Sequence, residues 1–420
     1  RGVHGLILDR VRHRTFMLRR SRARSKPPIA SRLQPRPELA CPGTGAETTL
    51  SDLHPRTIFH LDHASTWSGS EQQLLHLHQG LLALGLDSRV VCQTEGALED
   101  RLRRERLPHY AVRMIGGLDP GGAWRLRNLL RDPATVVHAH TPDAAHLALW
   151  ARRLGARAKL VVSHRGDFPM GKRWLGRGKG PDRRIDRYLA NSSAAESDLA
   201  RAGVPANSMC LIPHGIDFTR FANVQPDLGW RLHFGLEPGE LLFTNVAALA
   251  PRKDQPTLIR AFRRFLDLGG QGKLVVLGEG ESRPELERLK GQLGLQDHVF
   301  LPGFEPEILP KMRAADVYVA SARSDGLGCA ILDAMALARP VVATGAGGIV
   351  DAVESGETGL LVPPEDPAAL ARGMLDLQQS AATRQRMGLA GQRKVEQFDV
   401  RRTVELTLAS YRELFDPRPG

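Results

Sequence analysis

Strand-length apolar runs alternate with helical segments twice over in this chain, and that rhythm leaves few folds open. From Thr57 the sequence reads TIFHLD as an extended run, turns at Ser68–Ser70, and continues as EQQLLHLHQGLLALG with apolar residues at helical spacing. SRVVCQ, TVVHAH (135–140), KLVVSH (159–164), RYLANS (187–192) and MCLIPHG (209–215) continue the strands, separated by helical stretches such as DAAHLALWARRLG and AAESDLARAG. Residues 216–239 break the pattern. A second series then starts with LLFTNVAAL, KLVVLG, HVFLPGF, DVYVAS, PVVAT and GLLV. Strands that alternate with helices pair in parallel and are covered on both faces. The expected fold class is therefore α/β, with two Rossmann-like doubly wound domains facing a cleft and a ligand crevice at the C-terminal ends of the strands.

A chain of 420 residues with 42% hydrophobic content can bury two such cores, and 42 glycines with only 5% aromatic residues suit many tight strand-to-helix turns. The expected boundaries are a basic extension over 1–55, a first domain over 56–215, a linker over 216–239, a second domain over 240–395 and a final helical segment over 396–420. The extension holds eleven Lys/Arg against four Asp/Glu, more than half of the net charge of +12. Its segment RRSRARSKPPIASRLQPRP has no apolar period and reads as disordered, without an apolar stretch of signal-peptide length. Apolar runs elsewhere fall far short of the roughly 20 residues of a membrane span. Cys41, Cys92, Cys210 and Cys329 show no paired spacing, which argues against a disulfide framework or a zinc site. A reducing cytoplasm is the expected location.

The stretch 323–348, RSDGLGCAILDAMALARPVVATGAGG, carries the strongest chemical signal. Asp325 opens a glycine-containing turn, and Asp333 follows inside a helical pattern. Backbone N–H groups around Gly326 and Gly328 lack intrahelical partners at a helix start, where they and the helix dipole favour a phosphate. Asp333 has two acceptor oxygens for a vicinal diol such as ribose. The plainer reading is an amphipathic helix capped by Asp325. Elsewhere, Gly278 and Gly280 form a GxG without the third glycine of a dinucleotide fingerprint, and no HExxH, CxxC or GxxxxGKS occurs. The stretch 165–187 holds eight Lys/Arg to three Asp, with Phe168 and Trp174 interleaved. It suits anionic lipid, a charged acceptor or plain solvation.

The order of motifs from about Thr57 to Phe415 resembles the retaining GT-B glycosyltransferases of family 4, the glycosyl transferases group 1. LIPHGID looks like the family's signature near the hinge, with His214 where Asn is usual; LGEG at 277–280, VFLPGF at 299–304 and GGIVDAVESGETGLLVPPEDPAAL at 347–370 follow its C-terminal domain. The resemblance implies a donor site in which Asp325 takes the donor sugar and Asp333 the ribose, both standing where the family usually has Glu. Gly69, Gly303, Gly326, Leu327 and Gly328 would line the donor. Lys253 matches the lysine of the family's diphosphate clamp, while Ala248 stands where its arginine is expected and Arg252 lies beside the lysine. The resemblance names His140, Lys253 and Asp325 as catalytic and Arg165 and Asp167 as acceptor-side, and sends the last helix back to the first domain. It further implies a UDP-, GDP- or ADP-sugar donor, a sugar or lipid-linked acceptor, and no metal or cofactor. The implied setting is polysaccharide or lipopolysaccharide synthesis, peripheral to an anionic membrane at its inner face and without nucleic acid. Two rivals stand beside it. One is an epimerase or phosphorylase on the same fold; the other is a non-catalytic sugar-nucleotide-binding module, suggested by Ala248 and the two shortened carboxylates.

Overall fold

The computed structural model describes residues 55–117, 119–166 and 182–416. Except for Pro55, the extension 1–55 lies outside these residues, as do Asp167, Phe168 and Trp174.

The first sheet has seven parallel strands in the order β3-β2-β1-β4-β5-β6-β7. They are β1 (Thr57–Leu61), β2 (Asp87–Gln93), β3 (His109–Val112), β4 (Thr135–Ala139), β5 (Lys159–His164), β6 (Arg187–Ala190) and β7 (Met209–Leu211). Connecting helices are α1 (Gly69–Ala83), α2 (Ala97–Arg104), α3 (Pro120–Leu129), α4 (Pro142–Arg153) and α5 (Ser193–Arg201). Every residue of β4 and β6 is buried, as strands covered on both faces require. Helix starts follow the local chemistry. Ser68 caps α1 in a capping box with Glu71, and Thr141 caps α4 with Pro142 in its first turn.

After α6 (Leu228–His233), the second sheet has six parallel strands in the order β10-β9-β8-β11-β12-β13. These are β8 (Leu241–Val246), β9 (Gly272–Leu277), β10 (Val299–Gly303), β11 (Val317–Ala320), β12 (Val341–Thr344) and β13 (Gly359–Val362). Its helices are α7 (Gln255–Asp267), α8 (Arg283–Gln292), α9 (Ile308–Ala314), α10 (Cys329–Ala336), α11 (Ile349–Ala352), α12 (Pro367–Gln379) and α13 (Ala381–Lys394). The stretch read as a linker is partly structured. Trp230 and Leu236 pack against Phe234, Leu242, Val275 and Leu277 in the second domain's core.

The chain passes between the domains twice, and the two passes are joined. Ile216 N–H donates to Phe398 O (2.7 Å) and Val400 N–H donates to Ile216 O (3.0 Å). Gly215 is required there, since a Cβ would stand 2.4 Å from Val400 Cα. Gln73 of α1 clamps the same residue, with Nε2 donating to Gly215 O (2.8 Å) and Oε1 accepting from its N–H (3.1 Å). The returning helix α14 (Val400–Arg412) lies on the first domain, where Val404, Leu408 and Tyr411 join Ile58, Leu77, Val136 and Val161 in one core.

Candidate active site

At the rim of the second sheet, β11 runs into the loop carrying Asp325. Gly328 caps α10 in the left-handed region, at φ 75° and ψ 76°, a conformation that favours glycine. The cap of α10 is thus not Asp325, and the plain capping role is excluded. Asp325 faces the 3-10 turn Pro251–Lys253 that follows β8. Lys253 Nζ lies 2.5 Å from Oδ2 and Arg252 Nη1 lies 3.7 Å from Oδ1. The tightness of the turn is what brings adjacent residues to one carboxylate. It is fixed by Ser321 Oγ, which donates to Lys253 O (3.0 Å) and Asp254 O (2.9 Å), and by Arg323 N–H on Arg252 O (2.9 Å). Ala248, where a clamp arginine is expected, is exposed.

Asp333 lies on α10, almost wholly buried. Burial pushes its carboxyl up to about 6, against the pull of Arg220. Arg220 Nη1 is 3.4 Å from Asp333 Oδ1 and comes from the 3-10 turn Phe218–Phe221, just past the first crossing.

The first domain contributes a line of buried polar groups at the ends of β1, β4 and β5. Arg165 Nη2 donates to His140 Nδ1 (3.0 Å), and His140 Nε2 lies 3.0 Å from His60 Nδ1. An arginine only donates, so Nδ1 of His140 is the acceptor. Burial and the neighbouring histidines and Arg165 hold His140 well below its ordinary pKa, so it is neutral. Its proton is therefore on Nε2 and is given to His60. Both ring nitrogens of His140 are engaged, and neither is left to act as a base. His60, His138 and His140 bring ring nitrogens within 4.8 Å of one another, as a metal would need. The hydrogen bonds do not suit one, since ligation through Nε2 would put a proton on Nδ1 against the Arg165 N–H.

The two rims touch across the cleft. A Cβ on Gly326 would stand 2.4 Å from Asn191 Nδ2 and 2.8 Å from Arg165 O, and one on Gly69 would stand 3.1 Å from Cys329 Sγ. Ser193 N–H and Oγ both donate to Asp351, and Ser324 Oγ donates to Gly166 O (3.1 Å). Burial pushes the Cys329 thiol up to about 12, so it packs as a neutral group against His214. Gly326→Ala is accordingly expected to cut turnover at least tenfold while leaving the melting temperature nearly unchanged, because the clash falls between the domains and not inside either core. Thermal melts and initial rates on the one variant decide this, and unchanged turnover sinks it.

Of the residues expected from sequence, Gly69, His140, Lys253, Asp325, Gly326, Leu327, Gly328, Asp333 and Arg165 gather at this cleft. Gly303 lies further along the rim, at the end of β10, where a Cβ would meet Glu279 Oε1 at 2.7 Å. Asp167 lies outside the described residues. None of the motifs described above includes Arg220, His60 or Asn191 as a site residue. Arg220 does follow the LIPHGID signature by three residues, and His60 and Asn191 stand at strand ends, the positions that face a crevice.

Residues 67–220 match the family described as Glycosyltransferase Family 4, and residues 230–394 match Glycosyl transferases group 1. The GDP-mannose-dependent alpha-(1-6)-phosphatidylinositol monomannoside mannosyltransferase of Mycolicibacterium smegmatis is 31% identical over 291 residues, 65% of this chain and 75% of that protein. The chain belongs to glycosyltransferase family 4. Another relative of this family 4 chain, the D-inositol 3-phosphate glycosyltransferase of Rhodococcus opacus, is 32% identical over 237 residues, 54% of this chain. The chain spans about half of that relative's length, 53%. The fold is GT-B. The structure of Anabaena Alr3699/HepE in complex with UDP and glucose superposes with a TM-score of 0.72 at 21% identity, covering 84% of this chain and 98% of that one. Sucrose-phosphate synthase from Thermosynechococcus elongatus gives 0.70 at 20% identity, covering 86% and 99%.

Proposed function

We propose that this family 4 chain is a retaining glycosyltransferase that moves a sugar from a nucleoside diphosphate sugar to an acceptor hydroxyl without a metal, in cell-surface polysaccharide or lipopolysaccharide synthesis. The observation that carries the reading is the placing of Lys253 at 2.5 Å and Arg252 at 3.7 Å from Asp325, beside the start of α10. Donor phosphates entering there replace the carboxylate as the partner of both cations, and Asp325 is released to the donor-sugar hydroxyls. In the transfer, the bond from the sugar's anomeric carbon to the phosphate oxygen breaks and its electron pair stays on that oxygen. The acceptor oxygen bonds to the anomeric carbon from the same face, and its proton passes to the departing phosphate. Lys253, Arg252 and the amides at the start of α10 stabilise the charge that develops there. No protein base is needed, so His140 and Arg165 serve as a neutral and a cationic wall beside the sugar.

The acceptor we propose is lipid-linked, met at the inner face of an anionic membrane. The basic stretch 165–187 supports this, as does the phosphatidylinositol-linked substrate in the name of the Mycolicibacterium relative. Among the described residues, no helix is long and apolar enough to cross a membrane.

The test is a screen of UDP-, GDP- and ADP-sugars for thermal stabilisation, since a ligand that binds only the folded state raises its melting temperature. It is followed by an assay of diphosphate release in EDTA with soluble and lipid-linked acceptors. One nucleotide class is expected to stabilise and to be turned over in EDTA. Release that needs a metal counts against the mechanism, and no release with any pair returns the chain to the binding-module reading. Within the working enzyme, Asp333→Ala is expected mainly to raise KM for the donor and Asp325→Ala mainly to lower kcat. Equal binding losses with unchanged turnover in both would defeat the assignment.

A further inference from the structure

Arg220 has no part in the donor contacts proposed above, yet its guanidinium enters the cleft. The turn that carries it is rigidly held. Asp217 accepts from Thr219 N–H (2.9 Å) and Oγ1 (2.7 Å), and Phe218 and Phe221 pack into the apolar cluster that contains Ile331, Leu332 and Met335 of α10. The guanidinium lies 5.6 Å from the Phe221 ring centre and 3.4 Å, through Nη1, from Asp333 Oδ1. Its side chain is 25% exposed and that of Asp333 only 6%. A charge-assisted contact is strongest where one partner is as dry as this.

We propose that Arg220 is a positioning residue for the donor's ribose, holding Asp333 ionised and fixing Oδ1 so that the carboxylate accepts the two ribose hydroxyls. The inference rests on the ribose role given to Asp333 above. The surroundings leave this work to one group. Tyr318 of β11 and Cys329 of α10 also face Asp333, but burial raises both of their pKa values, and neither carries charge near neutrality. Arg220 and Asp217 both act on His76 of α1, which burial lowers to about 4, so it too is neutral. Among the described residues, the positive charge bearing on Asp333 is therefore that of Arg220. Burial alone drives a carboxyl towards its protonated form, which gives up acceptor capacity for the diol. Without Arg220, Asp333 takes up its proton at a higher pH than the value of about 6 it has with the arginine in place.

The sign of the pH effect follows. In the wild type, nucleotide affinity falls as pH drops through about 6. In Arg220→Gln the fall begins at a higher pH. If losing the guanidinium makes the carboxyl hold its proton about tenfold more tightly, binding is weaker than wild type by about tenfold below about pH 5 and about threefold at about pH 6.5, and is fully recovered by about pH 9. The experiment is titration calorimetry of the full chain with UDP, GDP and ADP across this range, on the wild type, Arg220→Gln, Arg220→Lys and Asp333→Asn. Arg220→Lys should keep the wild-type profile, and Asp333→Asn should bind weakly with a flat one. Arg220→Met is the second neutral variant, used if Arg220→Gln fails to fold. A loss in the neutral variant that is the same at every pH would assign Arg220 a merely structural part and overturn the proposal, as would no loss at all. If the wild type binds none of the three nucleotides, the donor reading fails and this inference with it. If the wild type binds and the neutral variant's profile is unmoved, only this inference fails.

Discussion

Lys253→Ala is expected to lower turnover about 10²-fold or more at saturating donor and acceptor, the loss typical of removing one fixed group that meets developing charge. Lys253 is the nearer of the two cations at Asp325 and the better buried, at 16% side-chain exposure against 36% for Arg252. A drier cation is less screened and contributes more to a departing phosphate. Arg252 remains in the variant, so some turnover survives. Ala248→Arg is expected to preserve or raise turnover, because position 248 is exposed and its carbonyl bond from Gln255 Nε2 (2.9 Å) does not depend on the side chain. Initial rates of diphosphate release measure both. A binding module shows no release in the wild type and altered affinity alone in the variants; undiminished turnover in Lys253→Ala would remove the clamp from the mechanism.

Tyr411→Ala is expected to cost about 3–5 kcal/mol of stability, the range for deleting a buried aromatic side chain. Tyr411 is fully buried among Ile58, Val136 and Val161, and its hydroxyl lies 2.6 Å from His138 Nδ1. Tyr411→Phe keeps the ring and loses only that hydrogen bond, so about 1 kcal/mol is expected. Denaturant titration of the two variants separates packing from hydrogen bonding. A Tyr411→Ala protein as stable as the wild type would mean that α14 adds nothing to the first domain's core.

Strands were legible in the sequence wherever burial on both faces made an apolar run, as in TVVHAH and DVYVAS. No apolar run marks β3, His109–Val112, an edge strand whose two central residues, Tyr110 and Ala111, are exposed. An edge strand covered on few sides needs no such run. In the site, Asp325, Asp333 and the glycines between them were legible because they lie on one loop and one helix, where spacing along the chain is also spacing in the fold. The partners that set their chemistry were not. Arg220 reaches Asp333 from 113 residues away, and His60 meets His140 across 80. Only the topology joins such pairs. Arg252 shows the intermediate case: its position was visible, but its reach to Asp325 depended on the turn Pro251–Lys253 closing tightly.

The return of α14 to the first domain sets an order of maturation during synthesis. The seven strands of the first sheet are complete at Leu211, but the helix that supplies Val404, Leu408 and Tyr411 to its core begins only at Val400. Between those points the ribosome makes the whole second sheet, from Leu241 to Val362, and domains generally fold as units while the chain emerges. The face holding Ile58, Val136 and Val161 has α1 on it throughout but waits for α14. The first sheet, made before the second, is thus completed after it.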